Sequence, residues 1–256
     1  MLFITTVKPK QHRVRFLIFA FLLMTATRTF AQFNDTINYF VHYGSTGVIN
    51  KTNEGKAYVL NNNFRFNVSK KSITVNTYGN WTFGKHGAQL TNNDYFSSMD
   101  FNLYKTMRHF YYWGMGTYEK SFSLAINHRL QTGAGIGYNV IDKKNAVIIL
   151  SDGILYERSD LYDTEVDGEN IYETFRNSFR LKFRIIIKDV VVLDGSDFLQ
   201  HSLRDRSDYI VKSSTNLSVK LVKWLSLTAS VNYNKINRTQ RENLFINYGL
   251  SLEKYF

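Results

Sequence analysis

The sequence predicts an all-β fold: a single antiparallel up-and-down transmembrane β-barrel of about twelve strands, preceded by a signal peptide. Three observations predict it. Apolar and polar residues alternate with period two through most of the chain after residue 31. The 256 residues include 20 Phe and 17 Tyr but one Pro and no Cys, a composition suited to long, uninterrupted ladders. Short turns also take turns with longer polar links, as on the two rims of an outer-membrane barrel.

Residues 1–31 read as a secretory signal. Lys8, Lys10, Arg13 and Arg15 form a basic stretch, Phe16 to Met24 an apolar one, and Thr29 and Ala31 a small-residue cleavage site before Gln32. Domain organisation then reduces to this leader and a barrel over 32–256. The formal charge of +11 includes five basic residues of the leader; without them 27 Lys and Arg face 21 Asp and Glu, a net of about +6. Nucleic acid therefore has little claim as a partner. Pro9 lies in the leader too. No apolar run after residue 31 approaches the roughly 18–20 residues of a spanning helix. The absence of cysteine excludes a disulfide scaffold, a thiolate nucleophile and Cys-ligated zinc.

Strand-like segments follow near 37–50, 55–69, 72–84, 94–105, 108–119, 123–141, 145–158, 170–188, 190–202, 208–222, 224–236 and 243–256. In the second, Tyr58, Leu60, Phe64, Phe66 and Val68 oppose Asn61, Asn63, Arg65 and Asn67. The third to fifth carry rings near their ends, Trp81, Phe83, Tyr95, Tyr111 and Trp113, and with Tyr156 and Tyr248 these are expected to form lipid-interface girdles. The sixth holds Gly133, Gly135 and Gly137 on one face, leaving room for a bulky neighbour or a bend. The seventh reads Ile148, Leu150, Ile154 with Asp152 in phase, and the ninth Val191, Leu193 with Asp197 in phase. A bulge or an extension beyond the membrane would accommodate either acid. In the eighth, Phe175, Phe179, Leu181, Phe183, Ile185 and Ile187 alternate with polar residues. The tenth and eleventh alternate just as cleanly, from Val211 to Leu221 and from Leu225 to Tyr233. The last aligns Tyr248, Leu250 and Leu252 toward a terminal Phe256, an outer-membrane assembly signal, although Lys254 interrupts it. Short links fall at 70–71, 142–145, 188–189 and 223–224, and longer ones are expected at 84–93, 159–169 and 235–242.

The polar face is too long and charged for the dry core of a sandwich, so it is assigned to a lumen. Arg176, Arg180, Lys182 and Arg184 line one strand, with Arg65, Arg129, Lys212 and Lys220 on others; Asp100, Glu157 and Asp194 are the candidate counter-charges. Two readings stay open: a narrow lumen favouring anions, and a salt-bridged filling of the bore, which such long side chains favour.

Other chemistry is weaker. Gly133 to Tyr138 fails the dinucleotide pattern, which needs glycine at 138 and a following helix. His42, His86, His109, His128 and His201 show no metal-ligand spacing. His201 and Ser202 point to opposite faces, which disfavours a barrel hydrolase. Asp160, Asp163, Glu165, Asp167 and Glu169 lack the EF-hand spacing and read as a solvated loop. No catalytic residue, metal or cofactor is assigned. A phospholipase- or protease-like hydrolase and a receptor or adhesin using the loops are the alternatives.

Arg129-Leu130-Gln131-Thr132-Gly133-Ala134-Gly135-Ile136-Gly137-Tyr138 resembles the R-L-x-x-G-x-G-x-G-Y strand of the salt-induced outer-membrane protein family, a domain of unknown function. The likeness continues through Asp197 to Leu203, Asp208-Tyr209, Leu225 to Leu227, Gly249 to Leu252 and Phe256. The resemblance implies an outer-membrane barrel linked to osmotic or salt stress, and it supplies no catalytic residue. Expected partners are outer-membrane lipid and lipopolysaccharide, periplasmic chaperones and the barrel-assembly machinery, around a monomer in the cell outer membrane.

Overall fold

The computed structural model describes residues 38–51, 55–70, 72–103, 109–162 and 170–255. The expected leader, Phe256 and the acids at 163, 165, 167 and 169 lie outside them. Twelve strands run in order: β1 (Tyr39–Lys51), β2 (Lys56–Lys70), β3 (Ile73–His86), β4 (Gln89–Leu103), β5 (Phe110–Ser121), β6 (Ile126–Lys143), β7 (Ala146–Leu161), β8 (Ile171–Ile187), β9 (Val191–Ser202), β10 (Tyr209–Val222), β11 (Leu225–Ile236) and β12 (Arg241–Tyr255). Each pairs antiparallel with its sequence neighbour, and β1 pairs with β12 from Phe40↔Tyr255 to Thr46↔Gly249, so the sheet closes. Closure satisfies every strand edge, the condition for crossing hydrocarbon with strands. Among the described residues no helix is long and apolar enough to cross a membrane.

An even strand number puts Tyr39 and Tyr255 on one rim, here the terminal rim; the ends of β1, β3, β5, β7, β9 and β11 and the described links 87–88, 122–125, 203–208 and 237–240 mark the opposite, loop rim. Two of the expected long links, 84–93 and 235–242, are shorter than the composition implied, and most of the third, 159–169, lies outside the described residues. β3 continues to His86 and β4 begins at Gln89, joined by a tight turn in which Gly87 takes φ +62°. The 235–242 link shrinks to one 3-10 turn over Asn237–Thr239. Strand ends beyond the apolar band meet water on their outer side, so alternation fades there while the ladder goes on. The loop composition of Lys85, His86, Gln89 and Asn92 hid two strand ends for this reason.

The wall sorts residues by parity. Leu244, Ile246, Tyr248, Leu250 and Leu252 of β12 point outward with half or more of their surface uncovered in several cases, and Asn247 and Ser251 point inward and are buried. The outer rings form two bands. Trp81 stacks on Tyr95 (5.9 Å, 11°) and Tyr156 meets Phe175 (5.6 Å) toward the loop rim, while Phe110 meets Tyr138 (4.7 Å) toward the terminal rim. Tyr111 and Trp113 depart from the expected girdle: both point inward and are buried. A Cβ on Gly135 would lie 2.5 Å from the Trp113 ring, and one on Gly137 2.2 Å from the Tyr111 ring. The glycine run thus makes room for two rings against the inner wall, where Trp113 Nε1 donates to the Ile136 carbonyl (3.2 Å).

Asp152 and Asp197 need neither a bulge nor an extension. Both point outward in an unshifted part of the ladder, opposite Ile136 and Leu181 respectively. Each is met by an outward neighbour: Asn177 Nδ2 donates to Asp152 (2.9 Å), and Ser213 Oγ to Asp197.

Candidate functional site: the lumen

The inner face is divided in two by what fills it. Toward the loop rim, Leu124, Ile126, Leu161, Tyr172, Ile210 and Ile236, from the 122–125 link and strands β6 to β8, β10 and β11, pack into an apolar cluster inside the barrel. Beneath it lies a buried ion network. Arg176 Nε donates to Glu157 Oε2 (2.7 Å), and its Nη2 to Asp208 Oδ1 (2.9 Å). Arg129 lies 3.6 Å from Glu157 and 3.4 Å from Glu119, and Lys212 Nζ lies 2.7 Å from Glu119. Gln131 Nε2 donates to both Glu157 and Gln200, and the Tyr172 hydroxyl to Glu157. Arg238 closes the set, 3.3 Å from Asp208 and with its guanidinium 3.9 Å from the Tyr172 ring centre. Four cations and three carboxylates therefore neutralise one another to within one charge. With Arg176 and Glu157 fully buried, such pairs hold only while every partner is present.

The remaining bore is a cavity of about 450 Å³ lined from every strand except β6 and β7. It runs from the level of Phe40 and Val192 near the terminal rim to Asn234 and Asn243 toward the loop rim. Much of its wall is neutral and hydrogen-bonding: Asn61, Asn63, Asn76 and Asn80 on one side, Ser214, Asn216, Ser218, Thr228 and Asn232 on the other. Its charged lining comprises Arg65, Arg180, Lys182, Arg184, Lys212 and Lys220 against Asp94, Asp100, Glu119, Asp194 and Glu253.

Side chains bridge this space. Arg65 on β2 reaches Asp194 on β9 (3.4 Å), five steps away in the strand order, and Asn243 on β12 donates to Ser123 (3.0 Å). The Arg180 guanidinium lies over the Trp113 and Phe198 rings (5.9 and 5.6 Å to the ring centres) and donates to Ser151 (3.1 Å). Asp100 accepts from Asn76. Lys182 stands between Arg180 and Arg184 on the inner face of β8.

The eight basic residues read from the sequence thus share the inner face but split by role. Arg129 and Arg176 belong wholly to the buried network, Lys212 joins that network to the cavity, and the other five line the cavity. Glu157 serves the network, and Asp194 and Asp100 the cavity. Glu119, Asp208 and Arg238 escaped sequence reading. Glu119 is in phase with Tyr111 and Trp113, whose apolar rings made that face of β5 look lipid-facing; Asp208 and Arg238 come from links that fold inward. On the same 203–208 link, the Ser207 N–H and hydroxyl donate to Asp205 and hold its carboxyl below the usual range.

Catalytic geometry is a separate matter. His128 bonds the Tyr118 hydroxyl (2.6 Å) on the outer face, while Ser202 faces inward and bonds Thr174 (2.8 Å). Among the described residues no group of three His, Cys, Asp or Glu could hold a metal ion.

A model of the family described as "Protein of unknown function, DUF481" matches residues 47–245. The chain belongs to this family. Its description carries no salt-induced name and no activity. No curated protein sequence matches the chain. Among solved structures, the chain is similar to a NanC porin (8% identity, 84% of this chain and 97% of that one, TM-score 0.48). It is also similar to an outer-membrane channel from Pseudomonas putida F1 (10%, 90% and 99%, 0.47). A third similarity is to the translocator domain of the autotransporter NalP from Neisseria meningitidis (14%, 84% and 87%, 0.46).

Proposed function

We propose that this family member is an outer-membrane barrel whose lumen is a narrow passage for small hydrophilic solutes, with a weak preference for anions. The observation that carries the proposal is the polar cavity itself, lined from ten strands and extending most of the way between the rims. Water and a small solute find hydrogen-bonding groups along its length, and its charged lining has six cations against five carboxylates. The excess is concentrated on β8, where Arg180, Lys182 and Arg184 follow one another at every second residue. Delivery by periplasmic chaperones and the barrel-assembly machinery goes with that location.

Reconstitution in planar bilayers tests the proposal. The expected result is small, discrete conductance steps with mild anion preference, turned toward cations by Arg180→Glu combined with Arg184→Glu. A silent bilayer overturns the passage and leaves a structural barrel, a second reading favoured by the ion pairs that cross the bore. A link to salt or osmotic stress rests on the sequence resemblance; impaired growth of a deletion strain at high salt would support it.

A further inference from the structure

The outer wall holds a concavity that the passage does not use. It has a volume of about 550 Å³, within the roughly 300–1,000 Å³ range of small-molecule sites. Its floor is Gly79 of β3 beside Ser97 of β4, register partners on the outer face. A Cβ at Gly79 would meet nothing within 4 Å, so the hollow exists because that position has no side chain. Phe64 of β2 and Tyr118 of β5 flank the floor in the same cross-strand row. Two residues nearer the loop rim, the stacked Trp81 and Tyr95 form its upper wall. Lys120 lines the hollow beside Tyr95 and lies one residue from the end of β5 at the loop rim.

Its chemistry is therefore an aromatic-walled slot open to hydrocarbon, ending in a cation at the membrane boundary. Charge on the surrounding wall has one sign. The outward positions of β2 to β5 carry Lys56, Lys85 and Lys120 near the loop rim and Lys70 at the terminal rim, and no carboxylate: Asp94, Asp100 and Glu119 all face the lumen. Elsewhere outward charges are mixed, as in the Arg158–Glu173 pair (3.7 Å) and Asp152. Rings, a glycine floor and unopposed lysines suit a ligand with a flexible chain below and phosphate above.

We propose that this hollow binds a lipid A-type glycolipid of the leaflet at the loop rim. One acyl chain lies over Gly79 and Ser97 between Phe64 and Tyr118, and a phosphate sits on Lys120. Several phosphates on one headgroup match lysines spread over three strands better than a phospholipid with a single phosphate does. The site depends on the barrel lying in a membrane and not on the lumen being open.

Native mass spectrometry of the purified chain in detergent, with lipid A, phosphatidylglycerol or phosphatidylethanolamine added, tests it. Lipid A is expected to be retained in a one-to-one complex and preferred over both phospholipids. Lys120→Gln is expected to cut retention about fivefold, the loss of one lysine at a charged lipid surface. Gly79→Leu fills the floor and is expected to abolish retention, whereas Val219→Leu, an outward position on β10, leaves it unchanged. Heat-modified migration in gels checks folding, and if Gly79→Leu does not fold, Lys120→Gln alone decides. Retention unaffected by the variants, no retention by the wild type, or equal retention of phosphatidylglycerol overturns the proposal.

Discussion

Lys212 on β10 and Glu119 on β5 meet across the bore at 2.7 Å, although five steps of the strand order separate their strands. The contact joins the buried network to the open cavity. Lys212 Nζ also lies 4.9 Å from the centre of the Phe96 ring, so three strands converge on one ammonium. Glu119 in addition serves Arg129, which is almost wholly buried.

The two partners are therefore unequal. Glu119→Ala is expected to destabilise the barrel more than Lys212→Ala, because it leaves both Arg129 and Lys212 short of a counter-charge. Lys212→Met combined with Glu119→Gln removes both charges of the strut and leaves Arg129 its second carboxylate, Glu157, and is expected to raise single-channel conductance. Conductance unchanged in the double variant would show that the strut does not limit the passage.

Glu157 is the centre of the network, in contact with Arg129, Arg176, Gln131 and Tyr172. Glu157→Ala strands two buried guanidinium groups and is expected to cost about 3–5 kcal/mol, the usual penalty for breaking a buried pair. The measurement is the temperature at which the folded, heat-modifiable form disappears from gels.

Gly137 and Tyr111 are tied by close approach. A Cβ at 137 meets only atoms of that ring within its nearest contacts, at 2.2–2.5 Å. Gly137→Ala is expected to cost about 1–3 kcal/mol through overpacking. In a Tyr111→Ala background the same substitution should be nearly neutral, and urea unfolding of the four variants from lipid vesicles gives the coupling. Additive effects would show that the glycine serves something other than the ring.

On the lipid face, Asp152 relies on Asn177. Asp152→Leu is expected to stabilise the barrel by about 1–2 kcal/mol, since a polar side chain leaves the apolar band. Asn177→Leu is expected to destabilise it by removing the donor while the acid stays. Opposite signs for the two substitutions in the same vesicle assay are the check; a loss from Asp152→Leu would point to a partner at this face.

Most of the fold was legible because a strand has only two faces. The runs from Tyr58 to Val68, Val211 to Leu221 and Leu225 to Tyr233 assign their own inside and outside, and the observed register agrees with them. Legibility failed where apolar residues sit on both faces. Tyr111 and Trp113 read as lipid-facing, yet they point inward because the facing strand offers glycines in place of side chains. It failed again at the loop rim, where polar strand ends around Lys85 and Gln89 resembled loops.

By itself, the sequence determined the all-β class, an approximate strand number and the apolar and polar faces of its cleanly alternating runs, all consequences of period-two geometry along one chain. Only the closed tertiary structure decided which inner charges meet. Arg65 with Asp194 and Lys212 with Glu119 join strands far apart in sequence and around the wall, so their pairing depends on barrel stagger and bore width. Closure likewise separated the buried arginines at 129 and 176 from the lumen-lining cations at 180, 182 and 184, a difference of height and depth that alternation cannot encode.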